Sequence, residues 1–224
     1  ISINAATTGA GTVEVANIAG AAGTVAIGNG STATLTLDGT TYTSTGAQTY
    51  EANDFNLTGA DITFTTTNAA VEFQDGAAGQ IVLSDTADLT ITTSGGDITI
   101  APTIAGTTGG ANRTEDITLN AAGGTVTLSN TGAAVLATDI GDVTITGATI
   151  ALHNSITSAG TNSAGAASTI DINGAVTLNS NDITITTNGG SVDFSSTIVS
   201  GSATPRALTI AQGAGTVTIT GNIG

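Results

Sequence analysis

The chain of 224 residues contains no cysteine, methionine or tryptophan, and its lysine and arginine together number two, Arg113 and Arg206. Without cysteine there is no Cys/His metal cluster, and oxidation and mispairing outside the cell are avoided. A surface that tracks phosphates needs clustered Lys and Arg, so nucleic-acid binding is excluded. The net charge is −15, from 17 acidic residues. An anionic membrane surface would repel such a chain, and no apolar run approaches the ~18 residues of a membrane span, so membrane insertion is excluded too. Excess negative charge suits solubility and counter-ion binding in a cation-rich medium outside the cell. Two cationic residues also leave trypsin-like proteases two cleavage sites. Ile1 enters in mid-pattern with no methionine before it, so the chain is expected to be a processed product or an excerpt, and no signal peptide is visible.

Charged residues are 8% of the chain and aromatics 3%, with two prolines against 31 glycines. Thr, Ala, Asn, Ser and Gly occupy the space that Lys, Glu and Leu fill in an ordinary domain. Low charge alone would suit disorder, but disordered segments are poor in β-branched residues and this chain is full of Val, Ile and Thr. No window sustains a 3.6-residue period, so helices are not expected.

The chain repeats itself. A triplet of the form apolar–Thr–apolar, or close to it, begins at Leu35, Ile62, Leu89, Ile117, Val143 and Ile170, at steps of 26 to 28 residues. A regular period in that range signals stacked units that each bury their apolar face against their neighbours. Nine residues after a first strand comes another: Ile62 then Val71, Leu89 then Ile98, Ile117 then Val126, Ile183 then Val192, Leu208 then Val217. The link holds a small-residue corner, as at Gly95-Gly96, Gly123-Gly124 and Gly189-Gly190. A third apolar position often follows six residues on, at Ile104, Ile198 and Ile223. An antiparallel sandwich or barrel also has short strands, but it has no reason to repeat its sequence once per three strands. The expected fold is therefore all-β, a parallel β-helix solenoid of about eight coils of roughly 27 residues. Residues 1–224 form one elongated domain, less regular over 1–60 and regular over 61–224.

Alternation sets the facing. In Asp61-Ile62-Thr63-Phe64-Thr65 the apolar residues point inward, so Ile62, Leu89, Ile117, Val143 and Ile170 should form one interior ladder, and Phe64 and Ile91 should head a second. Val13, Val25 and Leu35 fit three strands per coil, while Thr43 to Thr58, with Tyr50, reads as looser strand. The step of 13 from Ile170 to Ile183 implies a short coil or a register shift. Ile156 to Ser168 and Ala105 to Thr114 are the expected outward loops.

The stretch from Leu208 to Gly224 (LTIAQGAGTVTITGNIG), Val192 to Ile198 (VDFSSTI) and Ser44 to Tyr50 (STGAQTY) resemble the repeats of very large bacterial surface proteins of the filamentous haemagglutinin-like type. The likeness covers most of the chain from about residue 35 onward and is one of repeat pattern. It implies a right-handed β-helix, secretion, and a role in adhesion, biofilm or surface filaments, with no catalytic residues to carry over.

Several patterns are candidate sites. Asp61, Asp88, Asp116 and Asp142 each precede a first strand, as does Asp182. In register, the first four would form a column of carboxylates roughly 5 Å apart. Repulsion along such a column would be compensated by calcium, which takes several oxygen ligands. Alternatively each residue is a solvated corner that caps its own turn by an Asx-type bond. The nonapeptide that binds calcium in other β-helices is absent. Thr-x-Thr recurs at Thr34/Thr36, Thr63/Thr65, Thr90/Thr92, Thr125/Thr127, Thr144/Thr146, Thr184/Thr186 and Thr216/Thr218. Outward Thr pairs of this kind would suit ice binding, but they fall on two different strands, with Asn120 and Ala211 interrupting, and Thr is also an ordinary solvent-facing strand residue. His153 is the single histidine, in a loop-like stretch, and no triad can be built on it. Carboxylate pairs for glycoside hydrolysis could come from any acidic ladder. Sequons at Asn29, Asn56 and Asn112 are expected by chance in this composition.

The sequence therefore points away from catalysis, with no cofactor beyond a possible calcium ion. It points toward a secreted, extracellular or cell-surface rod, a filament segment or adhesin stalk. No capping helix is visible, so apolar residues at the ends, Ile1, Ile3, Val217, Ile219 and Ile223, are candidates for head-to-tail stacking or for continuation into a longer chain. The alternative is a binding module, for a carbohydrate or host surface through the Asp corner and loops, or for ice through threonine.

Overall fold

The computed structural model describes residues 1–3, 12–75, 79–84, 86–107, 114–129, 137–138, 140–158, 161–162, 165–179 and 181–224. Every element among them is a strand. All the strand pairings are parallel, and they join segments one coil apart, which makes the chain a β-solenoid. Bridged strands lie about 25 residues apart rather than the roughly 27 expected, because the first coils and those after Ile170 are shorter. Val25 pairs with Gln48 and Gln48 with Val71, for example, whereas Ile98 pairs with Val126.

Each coil contributes to three faces in turn. The first face runs through Thr12–Val15, Thr34–Leu37, Asp54–Leu57, Gln80–Leu83, Thr103–Ala105 and Ala137–Thr138, and continues with Ile156–Ser158, Ile183–Thr187 and Leu208–Ala211. The second holds Ile18–Ala21, Thr41–Ser44, Ile62–Thr66, Leu89–Thr92, Ile117–Asn120, Val192–Phe194 and Val217–Ile219. The third holds Ser2–Ile3, Val25–Gly28, Gln48–Ala52, Val71–Asp75, Ile98–Ile100, Thr125–Leu128 and Ile198–Ser200. Two long strands, Val143–Leu152 and Ile170–Leu178, cross the corner without a turn and belong to the second and third faces at once, which joins these into a single sheet of 16 strands.

The interior ladder of Ile62, Leu89, Ile117, Val143 and Ile170 forms as expected, one residue per coil in direct register, and all five are buried. Leu35 does not head it: Leu35 pairs with Val13 and Phe55 on the first face. The nine-residue links also divide. Ile62 to Val71, Leu89 to Ile98 and Ile117 to Val126 turn from the second face to the third. Ile183 to Val192 and Leu208 to Val217 turn from the first to the second. The 13-residue step at Ile170 does fall in a short coil: Ile170 pairs with Val192, 22 residues on, whereas Val143 pairs with Ile170, 27 residues on. Ile170 and Ile183 lie on different faces, separated by the corner-crossing strand.

The N-terminal coils are more regular than their spacing implied. Tyr42 stacks on Phe64 with ring centres 4.8 Å apart, and Tyr50 stacks on Phe73 at 5.0 Å, each pair one coil apart in register. With Phe55 edge-on to Phe73 they form a fully buried aromatic core. Buried Gln48 serves this core: its Nε2 donates to the Tyr42 carbonyl at 3.0 Å and its Oε1 accepts from the Tyr50 hydroxyl at 3.0 Å. The Tyr42 hydroxyl donates to the Val15 carbonyl at 2.9 Å and accepts the Gly39 amide at 3.0 Å. Burial pushes the Tyr42 phenol up to about 12 despite that amide, so both phenols stay neutral at physiological pH.

Of the expected loops, Ile156–Ser158 is buried strand. Beyond it Thr161 bridges Ala167 in a small antiparallel excursion closed by the Gly165 amide on the Asn162 carbonyl at 2.8 Å. Asn112 and Arg113 lie outside the described residues.

Corners between the second and third faces stack small residues: Gly46 over Gly23, Gly96 over Ala69, Gly124 over Gly96 and Gly174 over Gly147. A Cβ built on Gly124 would overlap the Gly96 carbonyl, because coils are held at hydrogen-bonding distance there. Gly123, one residue away, has nothing within 4 Å of the same position. Replacing Gly124 by Val should therefore destabilise the protein by about 1–3 kcal/mol. Gly123→Ala should leave stability unchanged or slightly raised. Chemical denaturation followed by circular dichroism separates the two.

Candidate functional site

The residue just before a strand carries the chemistry of the corners. The Asp88 Oδ1 accepts the backbone N–H of Asp116 at 2.8 Å, and the Asp116 Oδ1 accepts that of Asp142 at 2.6 Å. The Asp142 Oδ1 continues the series on the N–H of Thr169 at 2.6 Å, while its Oδ2 accepts from the Asn162 side-chain amide at 3.1 Å. The column is real, but these carboxylates do not cap their own turns as an Asx bond would. Each caps the equivalent amide of the following coil. The same device recurs on the other faces: Asp97 receives Thr125 N–H at 2.7 Å, Asp182 receives Ala207 N–H at 2.8 Å, and Ser155 Oγ receives Thr184 N–H at 2.9 Å.

Asp61 stands exposed at the foot of the column, and its charge adds to the burial that raises the Asp88 carboxyl above its usual value; the Asp116 amide opposes both. Among the described residues no three His, Cys, Asp or Glu side chains converge as a metal-ion site. The repulsion expected along the column is instead offset, at each step, by an amide dipole.

A second acidic pair went unnoticed in the sequence. Asp171 and Asp193 sit directly opposite each other on neighbouring coils of the second face, where other coils carry threonine. Burial raises the Asp171 carboxyl, and the charges of Asp193 and Asp142 raise it further. When protonated, Asp171 can donate to Asp193. Glu115 is also new: it is fully buried, with Oε1 accepting from the amide and hydroxyl of Thr107, both at 3.3 Å, beside the corner that Asp116 caps. Nothing in its spacing separates it from the exposed acids.

The Thr-x-Thr pairs separate by face. Thr34/Thr36 and Thr184/Thr186 lie on the first face and Thr125/Thr127 on the third. The second face gathers the rest. Thr41, Thr63, Thr90, Thr118 and Thr144 form one outward column in direct register, and Thr43, Thr65, Thr92, Asn120 and Thr146 form another beside it. All are partly exposed. The pairing from Thr41 to Thr146 has no register shift, while irregularities lie just outside, between Ile18 and Ala21 below and between Thr146 and Thr149 above.

His153 stands within 3.3 Å of the Asn179 side-chain amide, and burial lowers its imidazole below the usual value. At the C-terminal end the last coil leaves a hollow of about 320 Å³ lined by Leu178, Ile198, Leu208, Ile210, Ile219, Ile223 and Arg206. Ile223 bridges Ile198 and is exposed, and Val217 and Ile219 are half-buried. Ile1 and Ile3 are exposed at the opposite end, where Ile3 pairs with Ile27.

No family model, curated protein or solved structure matches the chain. The haemagglutinin-like resemblance thus rests on the repeat pattern alone.

Two substitutions test the corner chemistry. Asp116→Ala strips the Asp142 amide of its acceptor and should cost about 1–3 kcal/mol, whereas Asp116→Asn keeps an oxygen there and should recover most of the loss. Thermal melts of the pair decide. A raised carboxyl favours the fold at low pH and loses that contribution as pH rises through its folded value. Asp171→Asn, which removes the charge and keeps a donor toward Asp193, should therefore raise the melting temperature at pH 7. The gain should vanish below about pH 3, where the native carboxyls are protonated.

Proposed function

We propose that the chain is a rigid, non-catalytic segment of an extracellular β-helical filament or adhesin stalk. The observation that carries this reading is the unbroken stack. Among the described residues each coil bonds to its neighbours through backbone ladders on three faces, around an interior that is mostly apolar. Such a body resists bending and shear because deformation must break several parallel hydrogen bonds at once, and it can lengthen by adding coils without changing its cross-section. Its surface chemistry fits a role outside the cell: acidic, almost free of cationic cleavage points and without oxidisable sulfur.

The two extremities of the stack support association along the axis. Among the described residues no further coil lies against the strand edges at either extremity, where apolar side chains are present: Ile1 and Ile3 at one end, Val217, Ile219 and Ile223 at the other. A neighbouring coil would pair those edges and fill the hollow, whether it comes from further along one chain or from a second copy. In this reading the loops, rather than the faces, meet a carbohydrate or host surface.

Electron microscopy of the native material tests the proposal. Uniform fibres or rods with an axial repeat on the order of 40 Å per chain, from ~4.8 Å per coil, are expected. Ile219→Asp places a charge in the apolar end and should shorten fibres to single rods. Compact, isometric particles would overturn the proposal.

A further inference from the structure

We propose that the second face is an ice-binding surface, its ligand the ordered water of a growing crystal, a function independent of the rod reading. The argument starts from where threonine is repeated and where it is not. If strand propensity alone placed threonine at solvent-facing positions, it would act equally on all faces. The equivalent outward column of the third face reads Ala26, Thr49, Glu72, Thr99, Thr127 and Ala151. That mixture of small, acidic and hydroxyl side chains is what an unconstrained solvated strand accumulates. On the second face two adjacent columns over five consecutive coils hold threonine at every position except Asn120, and no charged residue interrupts them.

The columns form a two-dimensional grid. Hydroxyls and methyls repeat at ~4.8 Å along the stack and at about 6.6–6.8 Å along each strand, a regular array whose shorter spacing is close to that of oxygen positions on the prism faces of ice. Backbone hydrogen bonding fixes the first spacing and the pleat the second, so the match needs no adjustment of the fold. Threonine is stiff at χ1, and neighbours one coil away restrict it further, so the grid is ordered before it meets a ligand. Each hydroxyl can donate to and accept from lattice water, while the methyls lie between hydroxyls where an ordered water cage loses little. Rigidity comes from beneath, because the stacked Tyr42 and Phe64 rings lie on the inner side of the first two coils of the grid. The face also lacks the charges whose strong hydration would compete with a neutral lattice; these stay at the capped Asp corner and at Asp171 and Asp193 beyond the grid's end.

Thermal hysteresis of the purified 224-residue chain, with ice-crystal morphology, tests the proposal. The chain should separate freezing from melting temperature and produce faceted crystals. Thr90→Tyr, at the centre of the grid, should lower the hysteresis several-fold with an unchanged circular dichroism spectrum. Thr127→Tyr, outward on the third face, should leave it as it was. Should Thr90→Tyr fail to fold, Thr118→Lys takes its place with the same expected loss. Absence of hysteresis in the unmodified chain overturns the proposal, as does full activity of the folded grid variant or an equal loss in Thr127→Tyr.

Discussion

The parallel backbone hydrogen bond between coils, with its ~4.8 Å spacing, is the constraint on which the rest of the structure depends. It demands that whatever stands at one position stand over its counterpart in the next coil at that distance. Interior positions meet the demand with like on like: Ile over Leu over Ile on the second face, Tyr over Phe where volume is needed. Corners meet it by giving up the Cβ, since carbonyl and Cα approach more closely there than any side chain allows. Outward positions meet it without cost, because a small β-branched residue fits its own image.

The same spacing explains the acids. Parallel pairing leaves the amide at the start of each strand short of a partner, and the residue just before the strand in the coil below is the nearest side chain. Asp, Asn and Ser reach it; Asp88, Asp116 and Asp142 do so in sequence, and Asn17 does so for both Thr40 and Thr41 at 2.7 and 2.9 Å. A carboxylate that accepts an amide is stabilised in its charged form, which is why a run of like charges persists along one edge. At Asp88 burial still outweighs that amide, and at Asp171 burial first and then the facing Asp193 raise the carboxyl. Column geometry alone therefore does not define a cation site; the direction of the nearest amide decides what a carboxylate does.

Much of the fold was legible because each coil repeats its chemistry. The ladder from Ile62 to Ile170 could be written down from spacing, since those coils share one motif and one length. What spacing could not reveal was the face. Apolar–Thr–apolar occurs on all three, so Leu35 opens the triplet series yet lies on the first face, and Ile183 and Leu208 turn a different corner from Ile62. Period identifies the coil and is silent on its rotation. Tyr42 and Tyr50 looked loosely structured because Gln48, a polar residue, points inward and breaks the alternation; its bonds to Tyr42 and Tyr50 close within one coil, across the corner between the second and third faces, and spacing does not show them. The corner acids were visible as a pattern, yet their partners lie a full coil away, beyond any local turn rule. The Thr pairs were divided between strands by sequence; those of Thr63, Thr90 and Thr144 share the second face, while those of Thr34, Thr125 and Thr184 lie on the other two.

Interior and exterior carry different amounts of information for this reason. Inside, the stack dictates size and polarity so strongly that any solenoid of this cross-section would converge on Val, Ile, Leu and small corners, and the residues there report only the fold. Outside, the stack permits nearly anything that tolerates its own image at coil spacing. Glu72 beside Thr99 on the third face, and Asp171 opposite Asp193 on the second, show how wide that permission is. Uniformity over five coils of the second face exceeds what the fold requires. In a body whose every coil is obliged to repeat its core, repetition on the surface is the part that calls for a cause other than folding.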